Sequence, residues 1–139
     1  MLWKNPSNNE IKSVLKKAKT IAVLGLSDNP ERTSFQIAQA MQKSGYKIIP
    51  VNPRVENVLG EKSFARLSDI EEEIDIINVF RKSEHLPAIA EEAKTIKHKS
   101  FWGQQGVMHE DVPSILEGED TIVIMDLCIK VAHAVLLKS

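Results

Sequence analysis

Thr20 to Phe35, TIAVLGLSDNPERTSF, is the stretch on which the fold turns. Ile21 to Leu26 is apolar at consecutive positions, where a half-exposed strand would alternate, so it reads as a strand covered on both faces, as in a parallel sheet. Gly25 interrupts the run; without a Cβ, the backbone there can turn tightly and come close to a ligand. Thr33 and Gln36 have the spacing of a capping box for the helix that follows. The first N–H groups of that helix, around Thr33, Ser34 and Phe35, face outward with the positive end of the helix dipole. A buried strand, a one-glycine turn and a helix start together form the layout that holds a nucleotide pyrophosphate.

The rest of the chain extends this pattern in both directions. Ser7 and Glu10 form an S-x-x-E capping box, and Ile11, Val14, Leu15 and Ala18 then share one helical face. After Thr33, apolar Ile37, Ala38 and Met41 carry a helix to Gly45, a residue suited to a left-handed stop, and Tyr46 to Val51 is the second strand. A polar, turn-rich stretch covers Asn52 to Glu73, and Ile74 to Phe80 is the third strand. Leu86, Ile89, Ala90 and Ala93 repeat at helical spacing behind a Ser83 cap, with Pro87 tolerated in the first turn. Ser100 to Trp102 is a short fourth strand, Glu110 to Glu117 a short helix ended by Gly118, and Thr121 to Asp126 a fifth strand before a closing helix that runs to about Leu137. Strand and helix alternate throughout, which predicts an α/β fold: a Rossmann-like three-layer sandwich with a five-stranded, mainly parallel sheet and right-handed crossovers. No repeat, linker or low-complexity tract divides residues 1–139, which read as one domain.

Composition narrows the class of partner. The 18 basic and 19 acidic side chains nearly cancel, so no overall field favours nucleic acid or an anionic membrane, and a small, locally charged ligand fits better. One cysteine, Cys128, excludes an intramolecular disulfide, and MLWKNPSNNE lacks the apolar stretch of a signal peptide. Both suit a cytoplasmic protein. No run approaches the roughly 18 apolar residues of a membrane span. The closing helix carries Val131, Val135 and Leu136, an apolar set on which a homodimer could form.

In open parallel sheets, ligands lie beyond the carboxyl ends of the strands, so the informative loops are those that follow strands. They are Gly25 to Pro30, Asn52 to Arg54, Arg81 to Ser83 and Gly103 to Gly106. The G-x-G-x-x-G fingerprint is absent, since only Gly25 is present. An NAD site usually places Asp or Glu after the second strand, where this chain has Val51-Asn52-Pro53-Arg54. Arg54 is instead suited to the extra ribose phosphate that both NADP and coenzyme A carry.

No catalytic group and no metal site stand out. Asn29 replaces the second glycine of a G-x-S-x-G nucleophile elbow at Ser27. Cys128 and His133, at i, i+5 on a helix, point roughly 140° apart and cannot pair there. His85, His98 and His109 lack ligand spacing, and Glu71 to Glu73 read as a solvated turn.

The residues at these loops resemble those of the small bacterial CoA-binding proteins and, more distantly, the CoA-binding domain of the succinyl-CoA synthetase alpha subunit. The matching pieces are Ile21 to Ser27 with Asn29-Pro30, Ile49 to Pro53 followed by Leu59-Gly60, Asp75-Ile76 with Val79 to Arg81, Trp102 to Val107, and Met125-Asp126 with Cys128-Ile129. They occur in order over nearly the whole chain.

The resemblance implies CoA lying across the carboxyl edge of the sheet. Gly25, Leu26 and Ser27 with Thr33 and Ser34 would hold the pyrophosphate; Asn52, Pro53 and Arg54 would border the adenosine end; Val79, Phe80, Arg81, Gln104 and Gly106 would line the rest. It further implies a non-catalytic module binding CoA or an acyl-CoA, since no second domain for ligase chemistry is present. The alternative is an NADP-dependent oxidoreductase, or another nucleotide-cofactor enzyme, using the same sheet edge. Cys128 would lie near the thiol end of CoA.

Overall fold

The computed structural model describes residues 3–137. In chain order the elements are α1 (Asn8–Lys17), β1 (Thr20–Leu24), α2 (Thr33–Lys43), β2 (Lys47–Val51), β3 (Asn57–Val58), β4 (Glu61–Lys62), β5 (Ile74–Val79), α3 (Leu86–Ala93), β6 (His98–Gly103), α4 (Val112–Ile115), β7 (Ile122–Ile124) and α5 (Ile129–Leu136). Five strands form one parallel sheet in the order β2-β1-β5-β6-β7, and β3 and β4 make a small antiparallel ribbon apart from it. The α/β, Rossmann-like three-layer fold expected from the alternation is the one observed.

Each layer follows from which way a strand residue points. Ala22 and Leu24 of β1 face one side with Ile49, Val51, Ile77, Val79 and Phe101, under α3 and α4. Ile21 and Val23 face the other with Ile48, Ile76 and Trp102, under α1, α2 and α5. The unbroken apolar runs in the sequence are thus two interleaved cores. Burying one such Ile or Leu side chain stabilises the fold by about 1.5–3 kcal/mol.

The expected cap of α1 forms: Ser7 Oγ accepts the Glu10 N–H at 3.2 Å, and its hydroxyl donates to Glu10 Oε1 at 3.4 Å. The other two do not. The N-cap of α2 is Arg32, whose carbonyl already accepts the Gln36 N–H, so Thr33 lies one position inside the helix and the Gln36 side chain turns back to the Pro30 carbonyl. Ser83 lies in a 3-10 turn ahead of α3, and its hydroxyl bridges the Gly106 carbonyl and the Met108 N–H at 3.2 and 3.0 Å.

Several boundaries also shift. The first strand ends at Leu24 rather than Leu26, because Gly25 turns the chain at φ +84°. The helix read over Glu110 to Glu117 contracts to α4. The last strand stops at Ile124, and Asn5 takes over at Met125, accepting its N–H at 2.9 Å and donating to its carbonyl at 2.8 Å. In the turn-rich stretch, Leu59 and Gly60 both adopt positive φ to link β3 to β4, and Phe64 then pairs alongside Val51, covering the outer side of β2.

At the amino-terminal edge of the sheet, Asp75 fixes β1 against β5. Its Oδ2 accepts the Lys19 and Thr20 N–H groups at 2.7 and 3.1 Å, while Thr20 Oγ1 accepts the Asp75 N–H at 2.9 Å. Burial pushes the carboxyl pKa up, but those two N–H groups and the nearby Lys99 ammonium outweigh it and hold the pKa below the ordinary value of 3.8. A depressed carboxylate stabilises the fold above its unfolded pKa, and that stability is lost as pH falls through the folded pKa. Asp75→Ala is therefore expected to cost about 2 kcal/mol at pH 7. Denaturant melts of both proteins should show the gap closing as pH is lowered through the acid range.

Candidate functional site

Strand order reverses between β1 and β5: the chain leaves β1 toward β2, then crosses back over β1 to β5. In open α/β sheets this switch point opens the crevice in which ligands lie. The loop after β1 and the loop after β5 flank it.

Gly25 controls how close those loops come. Its N–H donates to the Val51 carbonyl at 2.9 Å, while on the other side the Phe80 N–H donates to the Leu24 carbonyl at 2.9 Å. A Cβ on Gly25 would stand 2.5 Å from the Phe80 carbonyl oxygen and 3.1 Å from the Arg81 side chain. No side chain fits, and the positive φ excludes one on conformational grounds as well.

The loop beyond Gly25 is tied by its own side chains. Ser27 Oγ accepts the Asn29 N–H and Asn29 Oδ1 accepts the Glu31 N–H, both at 3.0 Å. Ser34 Oγ accepts the Ser27 N–H at 3.0 Å. Gly25 and Ser27 have thus already committed their N–H groups inside the protein. The open donors lie at the start of α2, where helix geometry leaves the N–H groups of Thr33, Ser34 and Phe35 without a carbonyl partner. The dipole of this 11-residue helix adds partial positive charge there.

Asn52 braces the opposite wall. Its Nδ2 donates to the Leu26 carbonyl and its Oδ1 accepts the Arg54 N–H, both at 3.0 Å, while Ser63 Oγ accepts its backbone N–H at 3.2 Å. The Asn52 side chain is spent on joining the ends of β1 and β2.

These walls enclose a cleft of about 730 Å³, lined by Gly25, Ser27, Thr33, Ser34, Asn52, Arg54 and Phe80, with Glu31, Arg32 and Val55 completing it. A second, mostly apolar lobe of about 440 Å³ shares Thr33 and Phe80 with it and adds Ile37, Arg81, Lys82, Gln104, Gln105, Val107 and Cys128. Both volumes fall in the range of small-molecule sites. Among the described residues, Arg32, Arg54, Arg81 and Lys82 make no ion pair, so their charge is free to meet an anion.

Four of the residues singled out from sequence stand behind these walls rather than in them. Leu26 and Val79 are fully buried and set the backbone, Pro53 is exposed on the turn, and Gly106 is strapped in place, its N–H donating to Asp126 Oδ1 at 2.6 Å and its carbonyl accepting from Ser83. Arg32 and the buried polar pair Asn78 and Gln104 carry weight that sequence reading missed for Arg32 and Asn78. Asn78 Nδ2 reaches the Trp102 carbonyl and Gln104 Oε1, both at 3.4 Å, and Gln104 Oε1 also accepts the Ile129 N–H at 3.3 Å, which joins the middle of the sheet to the start of α5. An asparagine inside the apolar run IDIINVF was the available signal, because a buried amide needs partners.

Cys128 is the N-cap residue of α5, and the His133 ring meets Tyr46 edge-on at 5.6 Å. Among the described residues, no group of three or more His, Cys, Asp or Glu side chains is arranged to hold a metal ion, and no helix is long and apolar enough to cross a membrane.

A parallel sheet with a phosphate-suited cleft at its switch point defines a Rossmann-like domain. Residues 19–134 match the family described as the CoA binding domain, and the chain belongs to that family. An uncharacterised protein of Bacillus subtilis, YneT, is 53% identical over 131 residues, spanning 94% of this chain and 97% of its own. The structure of a hypothetical protein from Pyrococcus horikoshii superposes with a TM-score of 0.90 at 27% identity, covering 99% of both chains. An ADP-forming acetate–CoA ligase of Methanocaldococcus jannaschii is 26% identical over 74 residues, 53% of this chain but 10% of the ligase.

Gly25→Ala tests the squeeze at the switch point. The methyl group would meet a backbone carbonyl on a residue held at positive φ, so a loss of about 2 kcal/mol or more is expected in urea melts. The same change at Gly45, where a Cβ would meet nothing within 4 Å, should cost less.

Proposed function

We propose that the cleft binds CoA or an acyl-CoA and that the chain acts as a non-catalytic, one-domain module in the cytoplasm. The observation that carries this reading is the division of the site: an arginine-rich lobe with open helix N–H groups beside a mostly apolar lobe, joined across Phe80. CoA is divided in the same way, into a phosphate-rich nucleotide head and a neutral amide-bearing arm that ends in a thiol. Membership of the CoA binding domain family points the same way.

Recognition in this reading is electrostatic at one end and steric at the other. The N–H groups that open α2, with Arg32, take the pyrophosphate through charge-assisted hydrogen bonds. Arg54 takes the phosphate on the ribose, and the arm passes Phe80 into the apolar lobe. NAD is disfavoured because the residue after β2 is Asn52, whose side chain is already held by Leu26 and Arg54.

Thermal melts with CoA, acetyl-CoA, NAD and NADP test the proposal. A ligand that binds only the native state raises stability by about 2.7 kcal/mol at a hundred times its dissociation constant. CoA and acetyl-CoA are expected to shift the melt. A shift with NADP and none with CoA at matched concentration would overturn the reading in favour of an NADP-dependent reductase.

Arg54→Ala should weaken CoA about tenfold, the loss of one charge-assisted hydrogen bond, while leaving 3′-dephospho-CoA almost unaffected. Titration calorimetry with both ligands measures this. An equal loss for the two would remove Arg54 from the ribose phosphate.

A further inference from the structure

The apolar lobe contains a polar group that phosphate recognition does not use. Gln104 follows β6 and is only 5% exposed. Its Oε1 accepts from Asn78 Nδ2 and from the Ile129 N–H, so the network sets which way the amide faces. Its Nε2 has no hydrogen-bond partner among the described residues, and no side-chain nitrogen or oxygen is fully enclosed without one, so Nε2 opens onto the lobe that Gln104 lines. A donor left open in a buried wall is completed by an acceptor on the ligand.

The surroundings narrow the kind of acceptor. Ile37, Phe80, Val107 and Cys128 give the lobe its mostly apolar lining, and a carboxylate drawn against them would lose its hydration. Arg81 and Lys82 also border the lobe but are exposed, so their charges stay in water. An amide would bring an N–H with its carbonyl, and the acceptors around Gln104 are engaged. Oε1 takes two N–H groups, and the carbonyls of Gln104, Val107 and Cys128 take those of Val107, Asp126 and Ala132. The group that fits accepts one hydrogen bond and donates none. A thioester carbonyl, flanked by carbon and sulfur, is such a group.

We infer that the apolar lobe is an acyl pocket in which Gln104 Nε2 donates to the thioester carbonyl of a short-chain acyl-CoA. The inference rests on the CoA reading of the cleft and narrows it from CoA in general to its acyl thioesters. With the nucleotide head at α2, the arm passes Phe80, the carbonyl comes to the wall beside Gln104, and the acyl chain lies against Ile37 and Val107. The lobe of about 440 Å³ also holds the end of the arm, so the chain it accommodates is a few carbons long. Gln104 acts here as a specificity residue, because a ligand without the carbonyl leaves the buried donor unpaired.

Titration calorimetry of the full chain under reducing conditions, with acetyl-CoA, butyryl-CoA, octanoyl-CoA and S-ethyl-CoA, tests the inference. S-ethyl-CoA is the thioether in which a methylene replaces the carbonyl of acetyl-CoA. Acetyl-CoA is expected to bind about tenfold more tightly than S-ethyl-CoA, a difference of about 1.4 kcal/mol. Butyryl-CoA should bind at least as tightly as acetyl-CoA, and octanoyl-CoA more weakly than butyryl-CoA. In Gln104→Glu an oxygen still accepts from Asn78 and Ile129 but the donor is gone, so the preference for acetyl-CoA over S-ethyl-CoA should vanish. A preference that survives in the folded variant would take the carbonyl away from Gln104. Equal affinities of the unaltered protein for acetyl-CoA and S-ethyl-CoA would overturn the inference and leave the cleft reading standing, as would octanoyl-CoA binding more tightly than butyryl-CoA. If none of these ligands and no free CoA binds, the cleft reading fails and this inference fails with it.

Discussion

The close approach of the β1 and β5 loops over Gly25 is the constraint from which the rest of this end of the molecule follows. Parallel strands send their outgoing loops from one edge, and where strand order reverses, two of those loops must part without leaving backbone groups unpaired. Here the Gly25 N–H reaches β2 and the Leu24 carbonyl reaches Phe80, so both sides of the gap are closed by hydrogen bonds. Only then do the start of α2 and the arginines around it face open space. The cleft is what remains when the backbone has satisfied itself.

Much of this was legible because burial writes itself into sequence as unbroken apolar runs. The five strands, the order of helices and strands, and the loops that gather at the carboxyl edge could all be read that way. The capping signals fared unevenly, and the difference is physical. Ser7 precedes a helix with nothing else to bind it, so its hydroxyl caps; Ser83 lies within reach of the loop after β6 and is drawn into it. Local spacing cannot reveal a competing partner that arrives from 23 residues away.

The same limit applies to the donors of the glycine turn. From sequence, the N–H groups of the glycine turn and of the helix start look equally available. In the fold, Ser34 accepts from Ser27 and Val51 accepts from Gly25, so those two N–H groups are spent, while those at the helix start have no carbonyl partner. Asn52 is a parallel case, a polar loop residue that reads as a ligand contact yet braces two strand ends. The ligase matches 53% of this chain within a tenth of its own length, so part of this sequence pattern also occurs inside a longer chain.

Asn5 has a consequence for how this unit could be cut. Its side chain acts as one more rung on the sheet, 120 positions away in the chain, and α1 closes over the second core with Ile11 and Leu15. The family match begins at residue 19, after both. A fragment trimmed to the boundary that similarity draws would carry the whole nucleotide-type cleft but bare the last strand and open one core to water. The border of the recognisable sequence and the border of the cooperative folding unit do not coincide.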